Sequence, residues 1–205
     1  MRKFAKVLTW VLFWAGVAAG TSLIYHETQK AEIYYYKGRG HFFKGDYERA
    51  IPLYERTLSF EPAHREALTE LAYACLWSGK PEQAINHFQR LLALDPESLR
   101  AQKSMADAYS WNKQYAKAIV MYLQVLAVTP EDAGTKRKLA EVYMWDQQYP
   151  KAAAVLESHL KQFPRDVRAK FLYAKTLQYK GDTTTASRIY RELLYGEKSQ
   201  TGGSV

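Results

Sequence analysis

Ala50, Ala84, Ala118, Ala152 and Ala186 stand 34 residues apart, and Leu58, Leu92, Leu126, Leu160 and Leu194 keep the same spacing. Pro62, Pro96, Pro130 and Pro164 follow the same interval, so the period belongs to the whole chain. A fixed period of this size builds a stack of small units, each too small to bury its own apolar face, around one continuous core. The register divides the chain into 31–64, 65–98, 99–132, 133–166 and 167–200, preceded by 1–30 and followed by a short Gly- and Ser-containing tail at 201–205. With 47% apolar and 24% charged residues, the chain is a folded protein and not a disordered one.

Each unit carries two runs of about a dozen residues with apolar positions at helical spacing, and the second run ends before the proline. Gly45-Asp46, Gly79-Lys80 and Gly181-Asp182 mark turns between the runs, where the backbone needs a left-handed residue or a cap. No strand pattern is visible. The spacing predicts an all-α chain of five helix pairs.

Ahead of the repeats, Arg2, Lys3 and Lys6 abut an apolar run from Val7 to Tyr25. Its roughly 19 residues would span about 28 Å as a helix, close to the thickness of a bilayer's hydrocarbon core. Two readings stand, a retained membrane anchor and a cleaved signal peptide, and Thr21 to Tyr25 extend the run in favour of the anchor. Both readings leave the basic end in the cytoplasm and carry the repeats across the membrane. Gly16 and Gly20, flanked by Ala15, Ala18 and Ala19, would make one helix face smooth enough for contact with another transmembrane helix.

The second unit reads Leu68, Leu71, Ala72, Cys75, Ala84, Phe88 and Pro96, and the third Met105, Ala106, Tyr109, Ala118, Tyr122 and Pro130. In these residues the chain resembles the tetratricopeptide repeat (TPR) proteins. The resemblance covers nearly everything after the anchor and implies a right-handed superhelical solenoid of five helix pairs. Departures occur: Leu156 replaces the aromatic residue of the fourth unit, Lys198 the proline of the fifth, and Gln102, Lys136 and Lys170 the large apolar residue that starts each later unit. After Tyr195 no further amphipathic helix follows, which leaves self-capping or cover by a partner as readings of the last unit.

Phe43, Trp77, Trp111, Trp145 and Tyr179 place an aromatic residue at the same point of every unit. In TPR proteins the first helix of each pair lines the inner surface, so the resemblance implies a partner-binding groove. It would be formed by Tyr35, Arg39, Phe43, Tyr73, Trp77, Lys103, Trp111, Arg137, Lys138, Trp145, Arg168, Lys175 and Tyr179, with Phe42, Arg100 and Phe171 alongside. The cations outnumber Asp107 and Glu141 at these positions, so the far end is expected to be basic. Core packing of the aromatic series is the competing reading, since such a stripe also fills the seam between units.

The net charge of +8 suits acidic partners or an anionic membrane surface, and nothing in the pattern singles out nucleic acid. Cys75 is the sole cysteine, which excludes an intrachain disulfide or a C-x-x-C pair. The five histidines show no zinc-binding spacing, and no phosphate loop, serine elbow or framed carboxylate pair is present. Neither enzyme chemistry, cofactor nor metal is expected. The expected function is a membrane-anchored scaffold outside the bacterial cytoplasmic membrane that holds a protein complex through acidic or apolar segments of its partners. The alternative is a glycan-binding element of exopolysaccharide synthesis or export, because periplasmic TPR segments of exopolysaccharide secretion systems resemble this Trp placement; the same placement also resembles membrane-anchored TPR subunits that assist cytochrome c maturation.

Overall fold

The computed structural model describes residues 14, 16, 17, 20, 21 and 28–196. From residue 28 onward the chain is helical in five pairs. Helix α1 is described over 28–42, followed by α2 (Tyr47–Phe60), α3 (Arg65–Trp77), α4 (Pro81–Leu94) and α5 (Leu99–Trp111). Then come α6 (Tyr115–Val128), α7 (Ala133–Trp145), α8 (Tyr149–Gln162), α9 (Val167–Lys180) and α10 (Thr183–Tyr195). Most of the expected anchor lies outside the described residues, although Gly16 and Gly20 are helical, with nothing within 4 Å of a Cβ placed on either. Among the described residues no helix is long and apolar enough to cross a membrane.

The start of each odd-numbered helix from α3 to α9 is written in the sequence by one device. His64, Ser98, Asp132 and Asp166 share a register, stand two residues after the four prolines, and accept a hydrogen bond from the backbone N–H of Ala67, Ala101, Thr135 and Ala169. The proline cannot extend the preceding helix, and the cap satisfies one of the amides that the new helix leaves without a partner. Within each pair the turn requires a residue with positive φ. Gly45 (76°), Gly79 (76°) and Gly181 (98°) supply it as expected, whereas Lys113 and Gln147 supply it in the third and fourth pairs at 58°. Non-glycine residues pay roughly 1–2 kcal/mol for this conformation, a cost the packing on both sides of those turns must offset.

Two compact units divide the chain at Pro96. In the first, α1 meets α2 where Gly38 leaves room for Tyr54: a Cβ on Gly38 would lie 2.7 Å from Tyr54 Cε1. Then α2 packs on α3 and α3 on α4, closing Leu68, Leu71, Ala72, Ala84 and Phe88 into the core. In the second unit each helix from α5 to α10 packs on its neighbour, and α7 also touches α9. The periodic alanines of the second helices are 0–1% exposed at all five places. The first helices carry small residues at the same spacing, Gly38, Ala72, Ala106, Ala140 and Ala174, the four alanines fully buried. Leu58 is buried, while Leu194, its counterpart in α10, is 75% exposed beside Tyr195 at 73%.

These crossings set the tolerance of the fold. Ala118→Trp is expected to lower the melting temperature sharply, because overpacking a closed helix crossing costs about 1–3 kcal/mol or more. Lys117→Trp, one residue away and exposed, is expected to melt like the parent; equal melting of both variants by circular dichroism would refute the register.

Candidate functional site

The aromatic series lies at or just beyond the C-terminal end of the first helix of each pair, and every member keeps a free face: Phe43 70%, Trp77 46%, Trp111 53%, Trp145 50% and Tyr179 57% exposed. The other face is used for packing. Trp77, Trp145 and Tyr179 rest on Tyr47, Tyr115 and Tyr149, the first residues of the preceding second helices, at 5.3, 6.3 and 5.6 Å between centroids. Core packing and surface presentation, opposed in the sequence, are therefore both true of the same rings.

In the first unit the rings gather. Trp77 lies 5.2 Å from Tyr73 in a stacked arrangement and 5.4 Å from Phe42, and the Arg39 guanidinium sits 5.2 Å over Phe43. Tyr35 is placed differently from the expected groove. At 6% exposure it is a core residue, wedged against Tyr54 and His64, with its hydroxyl donating to Glu70 over 3.4 Å. Burial, with Glu70 beside it, pushes its hydroxyl up to about 12. Glu70 also accepts from Tyr54 at 2.6 Å and faces Arg39 Nε at 3.4 Å.

In the second unit three of the six cations expected to make the far end basic are paired from within. Lys103 pairs with Asp132 at 2.9 Å, Arg137 with Asp166 at 2.5 Å and Lys138 with Asp107 at 2.6 Å. Asp132 and Asp166 are the caps of α7 and α9, so Lys103 and Arg137 secure the next helix, while Lys138 reaches back to Asp107 in α5. Two of the three carboxylates are helix caps, whose structural role was visible in the sequence only as a residue type after a proline, and the third, Asp107, lies within α5. Arg168 and Lys175 make no ion pair among the described residues.

Those two cations border a pocket of about 540 Å³ lined by Met144, Trp145, Val167, Phe171, Leu172 and Leu193, with Glu141 in its wall. Of the residues named from sequence, Trp145, Arg168 and Lys175 are brought together here, with Phe171. Glu141, counted in the sequence as a mere offset to the cations, is part of the same cavity. Burial is the main cause that raises its pKa, against the lowering pull of Lys138. Cys75 is buried, and that burial pushes its thiol up to about 11, an unreactive setting. Among the described residues no group of three His, Cys, Asp or Glu side chains stands where it could hold a metal ion.

Two predictions follow from this geometry. Trp77→Ala, which removes three ring contacts, is expected to destabilise the full chain by about 1–2 kcal/mol, and Trp111→Ala by under about 1 kcal/mol, with both variants folded. Thermal melts in detergent rank them; equal losses would show that the rings do not differ in packing. For Asp166, burial raises the pKa, but the Ala169 amide, His159 and Arg137 outweigh it and hold the carboxyl at about 2. A depressed carboxyl stabilises the fold above its unfolded value and loses that contribution as pH falls towards 2. Asp166→Ala is expected to cost about 2 kcal/mol or more at pH 7, through a lost cap and stranded His159 and Arg137. It should also flatten the loss of stability between pH 4 and 2, as urea titrations at each pH would show.

The family model described as Tetratricopeptide repeat matches residues 44–108, 78–137 and 112–176. Among solved structures, the chain is similar to MamA 41-end from Desulfovibrio magneticus RS-1, with 23% identity over 84% of this chain and 97% of that one and a TM-score of 0.73. A further crystal structure of MamA protein aligns at 24% identity over 86% of this chain and 98% of that one, with a TM-score of 0.71. A tetratricopeptide repeat protein from Parabacteroides merdae ATCC 43184 aligns at 22% identity over 81% and 66%, with a TM-score of 0.72. At these identities the likeness concerns the fold alone. A search of the curated proteins finds no significant match.

Proposed function

The chain belongs to the tetratricopeptide-repeat family, and from that premise we propose that it is a non-catalytic scaffold, anchored by the run Val7–Tyr25 in the bacterial cytoplasmic membrane, whose repeats assemble a protein complex on the periplasmic side. TPR domains bind protein partners. The observation that carries the reading here is the aromatic residue of every repeat, fixed on one face and free on the other. Five large apolar side chains held in register at the surface are a costly arrangement for a solitary protein and a useful one for gripping apolar side chains of a partner. Arg100, Arg168 and Lys175 make no ion pair among the described residues, and Arg168 and Lys175 border the pocket where acidic residues of that partner would meet them. The location follows from Arg2, Lys3 and Lys6 before the apolar run, since basic residues stay on the cytoplasmic side.

A reporter active only in the periplasm, fused after Val205, is expected to give signal; signal from a cytoplasmic reporter alone would overturn the location. Affinity capture of the full chain from detergent-solubilised membranes tests the scaffold itself. Replacing Trp77, Trp111 and Trp145 together by Ala should weaken partner capture by roughly thirtyfold or more, as the loss of interface anchors does. With Lys103, Arg137 and Lys138 already paired, added salt should weaken capture only modestly. Unchanged protein capture by the folded triple variant would sink the scaffold reading, and selective retention of the parent on polysaccharide resin would favour the glycan alternative.

A further inference from the structure

Two of the repeats carry the same rung of polar side chains, whereas the second repeat has Tyr73, Phe88 and Ser104 at the equivalent positions. In the first unit Arg39 faces Glu70, 31 residues on, and Tyr54, 15 residues after Arg39, donates its hydroxyl to the same carboxylate. In the second unit Asp107 faces Lys138, again 31 residues on, and Tyr122, 15 residues after Asp107, donates to Asp107. The charges are exchanged between the two rungs, but each holds a carboxylate, a cation and a buried tyrosine hydroxyl.

Glu141 occupies the next rung after Asp107. The positions that hold the hydroxyl and the cation around Asp107 are here Leu156 and Leu172, although Lys138, Arg137 and Lys175 still act on the carboxylate through their charge. It makes no hydrogen bond or ion pair among the described residues, although it lies half-buried beside Met144, Trp145, Phe171 and Leu172. A half-buried carboxylate without a hydrogen-bond donor is costly, and its raised pKa reports that cost. The cavity in front of it is of the size that takes a side chain of a ligand.

Building on the scaffold reading, we infer that this pocket is a subsite for a tyrosine of a protein partner, its ring lying on Trp145, Phe171 and Leu172, its hydroxyl donating to Glu141, and an adjacent acidic residue meeting Arg168 or Lys175. The neighbouring rungs show what a carboxylate at this depth takes from an aromatic ring: Tyr54 and Tyr122 both donate to one. A phenylalanine would fill the cavity and leave Glu141 sealed without a donor. A lysine or arginine is disfavoured by charge, because Lys138, Arg137 and Lys175 already face Glu141, with Asp107 as the one opposing acid. The exposed Arg168 and Lys175 at the border instead complement an acidic neighbour.

The test uses the full chain in detergent micelles, labelled with 5-fluorotryptophan, with the Trp145 resonance assigned by Trp145→Phe. The probes are the peptides acetyl-Gly-Asp-Xaa-Asp-Gly-amide with Xaa as Tyr, Phe or Lys. The Tyr peptide is expected to shift the Trp145 resonance and to bind about tenfold more tightly than the Phe peptide, as a hydrogen bond to a charged acceptor would give. Glu141→Leu should bring those two peptides to the same affinity, and should melt at or above the parent temperature because it removes an unpaired carboxylate from an apolar wall. Equal affinities for Tyr and Phe in the parent, tighter binding of the Lys peptide, or no shift at Trp145 with any peptide would overturn the inference. So would a Tyr preference that survives in Glu141→Leu, or a marked drop in its melting temperature, which would make the carboxylate structural. None of these results touches the scaffold reading, which stands or falls on partner capture by the triple Trp variant.

Discussion

The helix crossing within each pair is the constraint on which the rest depends. Two helices approach closely only where they present small side chains, and each pair carries a buried alanine in its second helix and, in its first, Gly38, Ala72, Ala106, Ala140 or Ala174. Close approach fixes where the flanking large residues meet, so Tyr54, Phe88, Tyr122 and Leu156 come to be fully or almost fully buried. It also fixes the direction of the first helix of each pair, and with it the free faces of Phe43, Trp77, Trp111, Trp145 and Tyr179.

Around that crossing the same few devices recur with different chemistry. The cap is His64, Ser98, Asp132 or Asp166, all of which can accept an amide proton. Where the cap is an aspartate it does a second task, holding Lys103 or Arg137 from the preceding pair. A helix start and an inter-repeat ion pair are then one structure. The buried His159, whose Nε2 lies 2.9 Å from Asp166, ties a third helix to the same carboxylate. The positive-φ turns are less uniform: Lys113 and Gln147 adopt a conformation that three glycines adopt elsewhere at no steric cost.

The charged side chains change the view of what the protein can bind. Counted along the sequence, cations dominate the later repeats. Once placed, Lys103, Arg137 and Lys138 are committed to carboxylates of their own unit, and the chemistry left over concentrates around Glu141, Arg168, Lys175 and the rings of Trp145 and Phe171. A departure from the repeat pattern, Leu156 in place of an aromatic residue, leaves Glu141 without the tyrosine hydroxyl that Tyr122 gives to Asp107.

The sequence by itself determined the period, the five helix pairs, the small residues at the crossings, the prolines and caps between pairs, and the periodic aromatic series. These are legible because each depends on residue type at a fixed local or repeated spacing, and repetition multiplies a weak signal. Only the tertiary structure decided that Tyr35 is core while Phe43 keeps an exposed face, that Lys103, Arg137 and Lys138 are paired, and that Glu141 stands without a hydrogen bond in a pocket. Those facts depend on which side chains from helices 29 to 35 residues apart come within hydrogen-bonding or ring-stacking distance. Such distances are properties of packing between helices, and no count of residues along one chain contains them.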